Sequence, residues 1–256
     1  MSKMKTRYLR LTEEKNALDY LEKAYHYIHE VKKNTLAWKW AILTLHGALY
    51  GFAICALKGT SPPRVIDQRK IYENLENLPI GIKKGGFPKS INKIKYDELK
   101  KHLSFKGIMS KDEKEELISL SNDIKYKKAI EELFNKSNNR NLISFNEAIK
   151  RCQDPNYMRM TYQSKPLQLT DQQNDSIKRL KEDFRDNFEH FKPMGLSIEV
   201  SGMPQIAINI LNVIRFLALD SGNYVNLTTS QQRKIKSIAY QSKQILKRLG
   251  KGGDKS

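Results

Sequence analysis

Cysteine is nearly absent from this 256-residue chain, which has only Cys55 and Cys152. The two match no metal-ligand spacing and cannot form a disulfide framework, so zinc modules and small disulfide scaffolds are excluded. Cys55 stands in an apolar run and reads as a small buried hydrophobe. A secretory signal is not expected either, because the basic start Met1–Arg10 runs into Glu13, Glu14 and Lys15 where an apolar core would stand. A reducing cytoplasm is therefore the expected compartment. Negative charge is scarce, with 28 Asp and Glu against 46 Lys and Arg, for a formal net charge of +18. Such a field attracts polyanions, whether nucleic acid, an acidic membrane surface or an acidic protein.

Long hydrophobic runs are scarce too. Ala41–Leu57 is nearly free of charge but shorter than the ~20 residues a membrane span needs, and it contains Thr44, His46, Gly47 and Gly51. A buried central helix is expected there, and no membrane span. Gly81–Ser90 has the glycines of a phosphate loop without its order, since Phe87–Pro88 follows Gly86 where Lys and Ser/Thr are required. No Ser-His-Asp or nucleophilic Cys arrangement is recognisable. Neither a metal nor another cofactor is expected.

What is present is helical periodicity. Thr12 is a plausible cap ahead of Glu13 and Glu14, and Leu21, Ala24, Ile28 and Val31 recur at helical spacing. Asn34–Thr35 interrupts, and a second helix is predicted from about Leu36 to Lys58, giving a helical hairpin that Gly59–Thr60–Ser61–Pro62–Pro63 closes. Between Arg64 and Asn141 apolar residues thin out and lysines crowd, with short helices predicted near Tyr96–Leu103 and Glu113–Phe134. Helical character returns at Ser144–Arg151. A long helix follows over Asp171–Phe191, then Leu196–Val200 as a short extended piece, a helix starting at Pro204, and a basic amphipathic helix over Ser230–Leu249. The expected fold is mainly α, an antiparallel helical bundle interrupted by a mostly helical, Lys-rich insertion. Its parts are an N-terminal hairpin (1–60), the insertion (61–143), the second half of the bundle (144–229) and a basic C-terminal helix with a disordered tail (230–256).

The charge concentrates in two places. Lys83, Lys84, Lys89, Lys93, Lys95, Lys100 and Lys101 lie in the insertion. Arg233, Lys234, Lys236, Lys243, Lys247 and Arg248 lie in the final helix. Phe87, Tyr96 and Tyr240 interleave with them, as a surface that stacks on bases requires. A solvated helix face has the same composition, so either patch is equally a nucleic-acid surface or plain solubility.

The segment that carries chemistry is Arg185-Asp186-Asn187-Phe188-Glu189-His190. RNA is cut without metal when one group deprotonates the 2′-hydroxyl, another protonates the leaving oxygen and a cation holds the phosphate. Histidine titrates near neutral pH and suits the proton transfers. Arginine stays charged and offers a planar fork for the phosphate. Residues five apart do not share one face of an ideal α-helix, but His190 lies three residues before Pro193, where the helix can unwind. The plain alternative is structural: Arg185 pairs with Glu182 or Glu189, and His190 caps the helix end. His46, alone in an apolar run, reads as a core histidine with one satisfied partner. Tyr25, Tyr27, Trp38 and Trp40 read as packing. A two-helix metal site of His26 and His29 with Asp186, Glu189 and His190 lacks the repeated Glu-x-x-His pair it would need.

This six-residue segment resembles the Arg-x4–6-His signature of the HEPN superfamily, with Asp186 at the polar position after the arginine. The hairpin from Trp38-Lys39-Trp40 through Ala56-Leu57-Lys58-Gly59-Thr60 is similar to the opening of bacterial HEPN-like proteins. So is the run from Phe184 to Phe191 through Ser197-Ile198-Glu199-Val200. The likeness spans roughly residues 1–60 and 144–220 and omits the insertion and the C-terminal tail. It implies a HEPN-like bundle that homodimerises, bringing two Arg/His sets into one cleft, and a metal-independent endoribonuclease of the toxin–antitoxin or phage-defence kind. On that resemblance His190 is the general acid/base, Arg185 the phosphate clamp, and Asp186 or Asn187 an orienting group. RNA is the implied partner, and an antitoxin or other regulatory protein a further one. Other HEPN proteins only bind RNA or protein, so a non-catalytic module stands as the alternative. A peripheral membrane protein using the final helix is a third expectation.

Overall fold

The computed structural model describes residues 8–58, 65–67, 111–120, 124–138, 142–189, 197–224 and 226–252. It is mainly helical, with no strand among the described residues. Two compact units are present, one built from Met1–Gly59 and Phe145–Ser256, the other from Thr60–Ser144.

In the first unit, α1 (Glu13–Glu30) starts where Thr12 caps it, the Thr12 hydroxyl accepting from Lys15 N–H at 3.2 Å. Glu13 and Glu14 then lie at the positive end of the helix dipole. The buried residues Ala17, Leu21, Ala24 and Ile28 repeat at four- and three-residue spacing and form the face turned to α2 (Ala37–Lys58). Helix α2 is buried nearly all round. It packs against α1, α5 (Phe145–Gln153), α8 (Met203–Arg215) and both π-helical turns described below, as its low charge predicts. Helix α2 and the stretch Met203–Asp220 are long and apolar enough to cross a membrane, with mean hydropathies of 1.7 and 1.2. Core helices pass the same test, and 67% and 61% of these windows are buried inside the fold.

Two glycines set how closely α1 and α2 approach. A Cβ on Gly51 would lie 2.7 Å from the Ala17 Cβ and 3.0 Å from its Cα, and one on Gly47 would meet the Tyr20 ring at 2.7 Å. Ala17 is fully buried backbone and methyl, whereas Tyr20 is 38% exposed and can turn aside. We therefore expect Gly51→Ala to destabilise the protein by about 1–3 kcal/mol despite the better helix propensity of alanine. Gly47→Ala should cost less. Urea titration of the two variants against wild type decides it, and equal costs would show that Ala17 does not limit the approach.

The predicted long helix over Asp171–Phe191 is three pieces. Helix α6 (Asp171–Arg179) opens with a capping box in which Gln173 N–H donates to Thr170 Oγ1 (3.2 Å) and Thr170 N–H donates to Gln173 Oε1 (3.0 Å). A π-helical turn, Leu180–Arg185, follows, and then the short α7 (Asp186–Glu189). A second π turn, Phe216–Asp220, extends α8. Helix α9 (Thr229–Gly252) closes the unit against α8 and α1, burying Ile235, Ile238, Ala239, Ser242 and Leu246. The final two helices match their predicted positions. The extended piece predicted over Leu196–Val200 is without regular structure where it is described, at 197–200.

In the second unit the described helices are α3 (Lys111–Ser119) and α4 (Ile124–Asn138), where one helix over Glu113–Phe134 is predicted. An isolated bridge pairs Ile66 with Leu142. The Tyr96–Leu103 helix and all seven insertion lysines, Lys83 to Lys101, lie outside the described residues.

Candidate functional site

Arg185 closes the first π turn, and the altered phase of that turn decides its neighbours. A π turn bonds each carbonyl to the N–H five residues on, as Asp186 N–H does with Lys181 O. Side chains five apart are thereby drawn together, and Lys181 Nζ lies 3.4 Å from Asp186 Oδ2. The second π turn repeats the geometry, with Arg215 Nη2 3.4 Å from Asp220 Oδ2. The statement that residues five apart do not share a face holds for an ideal α-helix, and these two turns depart from it because their bonding register is five.

The guanidinium of Arg185 is half-buried and held on two prongs. Nη1 donates to Asp186 Oδ1 at 2.9 Å, and Nη2 pairs with the Glu189 carboxylate one turn on. Its third nitrogen, Nε, is buried and its N–H has no partner. Of Glu182 and Glu189, the two glutamates near Arg185 in sequence, Glu189 is the one that pairs with it, together with Asp186. The Arg185 hydrogen bond, aided by Lys181, holds the Asp186 carboxyl below its ordinary pKa. Asn187 donates from its amide to Asp183 O at 2.7 Å, which ties it to its own helix. His190 lies outside the described residues.

Helix α2 packs on the first π turn and brings His46, from the middle of α2, within electrostatic reach of Arg185. Its ring packs on Phe145 of α5, centroid to centroid 4.4 Å, and Tyr50 meets the same Phe145 edge-on at 6.2 Å. The Nε2 atom of His46 is buried with no hydrogen-bond partner. The expectation of a satisfied core histidine is thus corrected at this atom. Burial first, then the charge of Arg185, push the imidazole from 6.5 down to about 4; Asp186 pulls the other way, and Lys181 adds a lesser push. His46 is therefore neutral at physiological pH. Sequence reasoning gave no sign of this placement, because an isolated histidine in an apolar helix does not reveal which elements will cover it.

Residues of α6 and α8 line an open cleft of about 490 Å³, among them Gln172, Asp175, Ser176, Arg179, Gln205 and Asn209. Asn209 is fully engaged there, donating to Ser176 Oγ at 2.9 Å and accepting from Gln205 at 3.1 Å. Among the described residues no three His, Cys, Asp or Glu side chains come together as a metal site. Both cysteines are buried and poorly ionised: burial pushes Cys55 up to about 12 and raises Cys152 further. Burial thus favours the thiol form of both over the nucleophilic thiolate.

On α9 the six predicted basic residues are all described. Arg233, Lys236, Lys247 and Arg248 are exposed, and Lys234 pairs with Glu22 of α1 at 2.5 Å. Lys243 is partly buried, and burial with the nearby Arg215 and Lys247 lowers its pKa. Arg233, Lys236, Tyr240, Lys243 and Lys247 follow three-, four- and seven-residue steps, so they share one side of the helix. Tyr240, 66% exposed, sits in the middle of that stripe. Trp38 is buried, as expected of packing, while Trp40 is half-exposed and stacks on Tyr27 at 6.2 Å.

Compared with known proteins, the chain matches no family model, no curated protein and no solved structure.

Proposed function

We propose that this chain is a HEPN-like, metal-independent endoribonuclease, a toxin or defence effector of the cytoplasm that works as a homodimer. The observation that carries the reading is the Arg185 fork: a half-buried guanidinium presenting two donors to two carboxylate oxygens, the places a phosphodiester's two free oxygens would take. Arg185 is then the phosphate clamp, His190 the general acid/base, and Asp186 the group that holds the fork oriented until phosphate replaces it, with Asn187 steadying the turn. The pairings Ala17–Gly51, Tyr20–Gly47 and Tyr27–Trp40 support the antiparallel hairpin that such a bundle requires. An antitoxin-like or other regulatory protein would restrain the activity.

RNA cleavage in EDTA by wild type and by His190→Ala, with folding matched by circular dichroism, tests the reading. Cleavage by wild type alone, leaving a cyclic phosphate end, supports it. Cleavage equal in both removes His190 from the chemistry.

One observation favours the alternative of a non-catalytic RNA-binding or protein-interaction module: the two carboxylates already neutralise Arg185. Binding would then rest on the α9 stripe. Under either reading the double variant Lys236→Glu with Lys247→Glu should weaken RNA binding. The slope of log affinity against log salt should also become shallower, by about one for each phosphate the variant no longer neutralises. Anisotropy titrations at two salt concentrations measure this, and an unchanged slope would take α9 out of the interface.

A further inference from the structure

Two polar atoms in this site are buried and unpartnered, His46 Nε2 and Arg185 Nε. Buried polar groups are nearly always hydrogen-bonded, so two orphans in one neighbourhood call for an explanation. They are complementary. Arg185 Nε–H can only donate, and an imidazole nitrogen without its proton can only accept. They arrive from elements far apart in sequence, α2 and the first π turn, which pack directly together. Phe145 holds one side of the imidazole, limiting how far the ring can turn. The other two nitrogens of the Arg185 guanidinium pair with Asp186 and Glu189, which draw the fork toward α7.

Resting on the proposed phosphate-clamp role of Arg185, we propose that His46 is its positioning residue: when a phosphate takes the fork from Asp186 and Glu189, Arg185 Nε–H donates to His46 Nε2. The proton of the imidazole then sits on Nδ1, and Nε2 offers its lone pair. The hydrogen bond fixes the guanidinium plane, so the two outer donors face the phosphate together. Replacement of the imidazole by an apolar ring would leave the charge of Arg185 in place but release its orientation. The groups acting on His46 are Arg185, Asp186 and Lys181 from the π turn and α7, with apolar Phe145 from α5 and Tyr50 one turn on in α2. A protonated imidazole would lose the lone pair and repel Arg185, and burial suppresses that form at neutral pH.

The test uses the full chain, labelled with nitrogen-15 and titrated with inorganic phosphate. The Arg185 Nε–H signal is assigned by its loss in Arg185→Lys. Phosphate is expected to move that proton downfield and the His46 Nε2 nitrogen upfield over the same concentration range. In His46→Phe the Arg185 movement should vanish while the melting temperature holds; His46→Leu serves in its place if phenylalanine is not accommodated. His46→Gln, which keeps an acceptor, should restore part of the movement. The proposal is overturned if the Arg185 proton shifts equally in His46→Phe, or if phosphate leaves the Arg185 signals of wild type unmoved. Neither readout needs cleavage, so the nuclease reading can fail in the EDTA assay while this hydrogen bond stands, and the reverse. Where wild type does cleave, His46→Phe is expected to lower kcat/KM at least about tenfold, as for loss of one orienting hydrogen bond to a charged group.

Discussion

Arg185→Ala is expected to lower RNA cleavage in EDTA by at least about a hundredfold, the usual cost of removing a preorganised donor aimed at developing charge. Its thermal midpoint should stay within a few degrees of wild type. The two ion pairs it breaks are partly exposed, with Asp186 and Glu189 side chains 33% and 43% accessible, and such pairs are worth at most about 1 kcal/mol. Loss of activity without loss of stability separates a functional arginine from a structural one. Arg185→Lys should not rescue, because an ammonium replaces a planar two-pronged fork with a point charge. Glu189→Gln should act in the opposite direction on binding. It removes a competitor for Nη2, and RNA affinity is expected to rise a few-fold. Steady-state cleavage and anisotropy on the three variants give the answer. Cleavage by Arg185→Ala at the wild-type rate would take the site away from this turn.

The second large effect is on stability in acid. Unfolded, His46 binds a proton below about pH 6.5; folded, it refuses one until about pH 4. Between those values the unfolded chain holds more protons, so stability rises with pH and is lost as pH falls through the window. At about 1.4 kcal/mol for each tenfold change in proton affinity, the gap corresponds to roughly 3 kcal/mol, complete only below pH 4. Asp186, whose carboxyl is held low by Arg185, adds a loss of the same sign at the acid end of the window. The difference between wild type and His46→Phe isolates the histidine. Urea midpoints from about pH 7 down to about pH 4 should fall more steeply for wild type than for the variant. Parallel curves would mean that the imidazole is as accessible to protons folded as unfolded.

Much of the architecture is legible because it is local. The Thr12 cap, the apolar face of α1, the charge-poor α2, the Pro204 start of α8 and the basic face of α9 each follow from spacing over one or two turns. The π turns are not legible in the same way. A π turn differs from α by one residue in register, and the apolar steps Ile177, Leu180 and Phe184 fit either. What separates the two is whether a cation and a carboxylate five apart meet, as Lys181 and Asp186 do. The candidate site divides along the same line. Arg185, Asp186 and Asn187 stand out within their own segment, whereas nothing around His46 in the chain marks it for this site.

The sequence by itself determined the helical class, the places where helices begin and break, the surplus of positive charge and the residue types available for phosphate chemistry. These follow from periodicity, capping and composition, all of which act within a few residues. Only the tertiary structure decided that His46 comes within electrostatic reach of Arg185, that Asp186 and Glu189 already occupy its fork, and that two polar atoms there are left without partners. Such facts depend on how α2 packs against the first π turn. That packing follows from shape complementarity and burial summed over the whole core, terms that no short stretch of sequence contains.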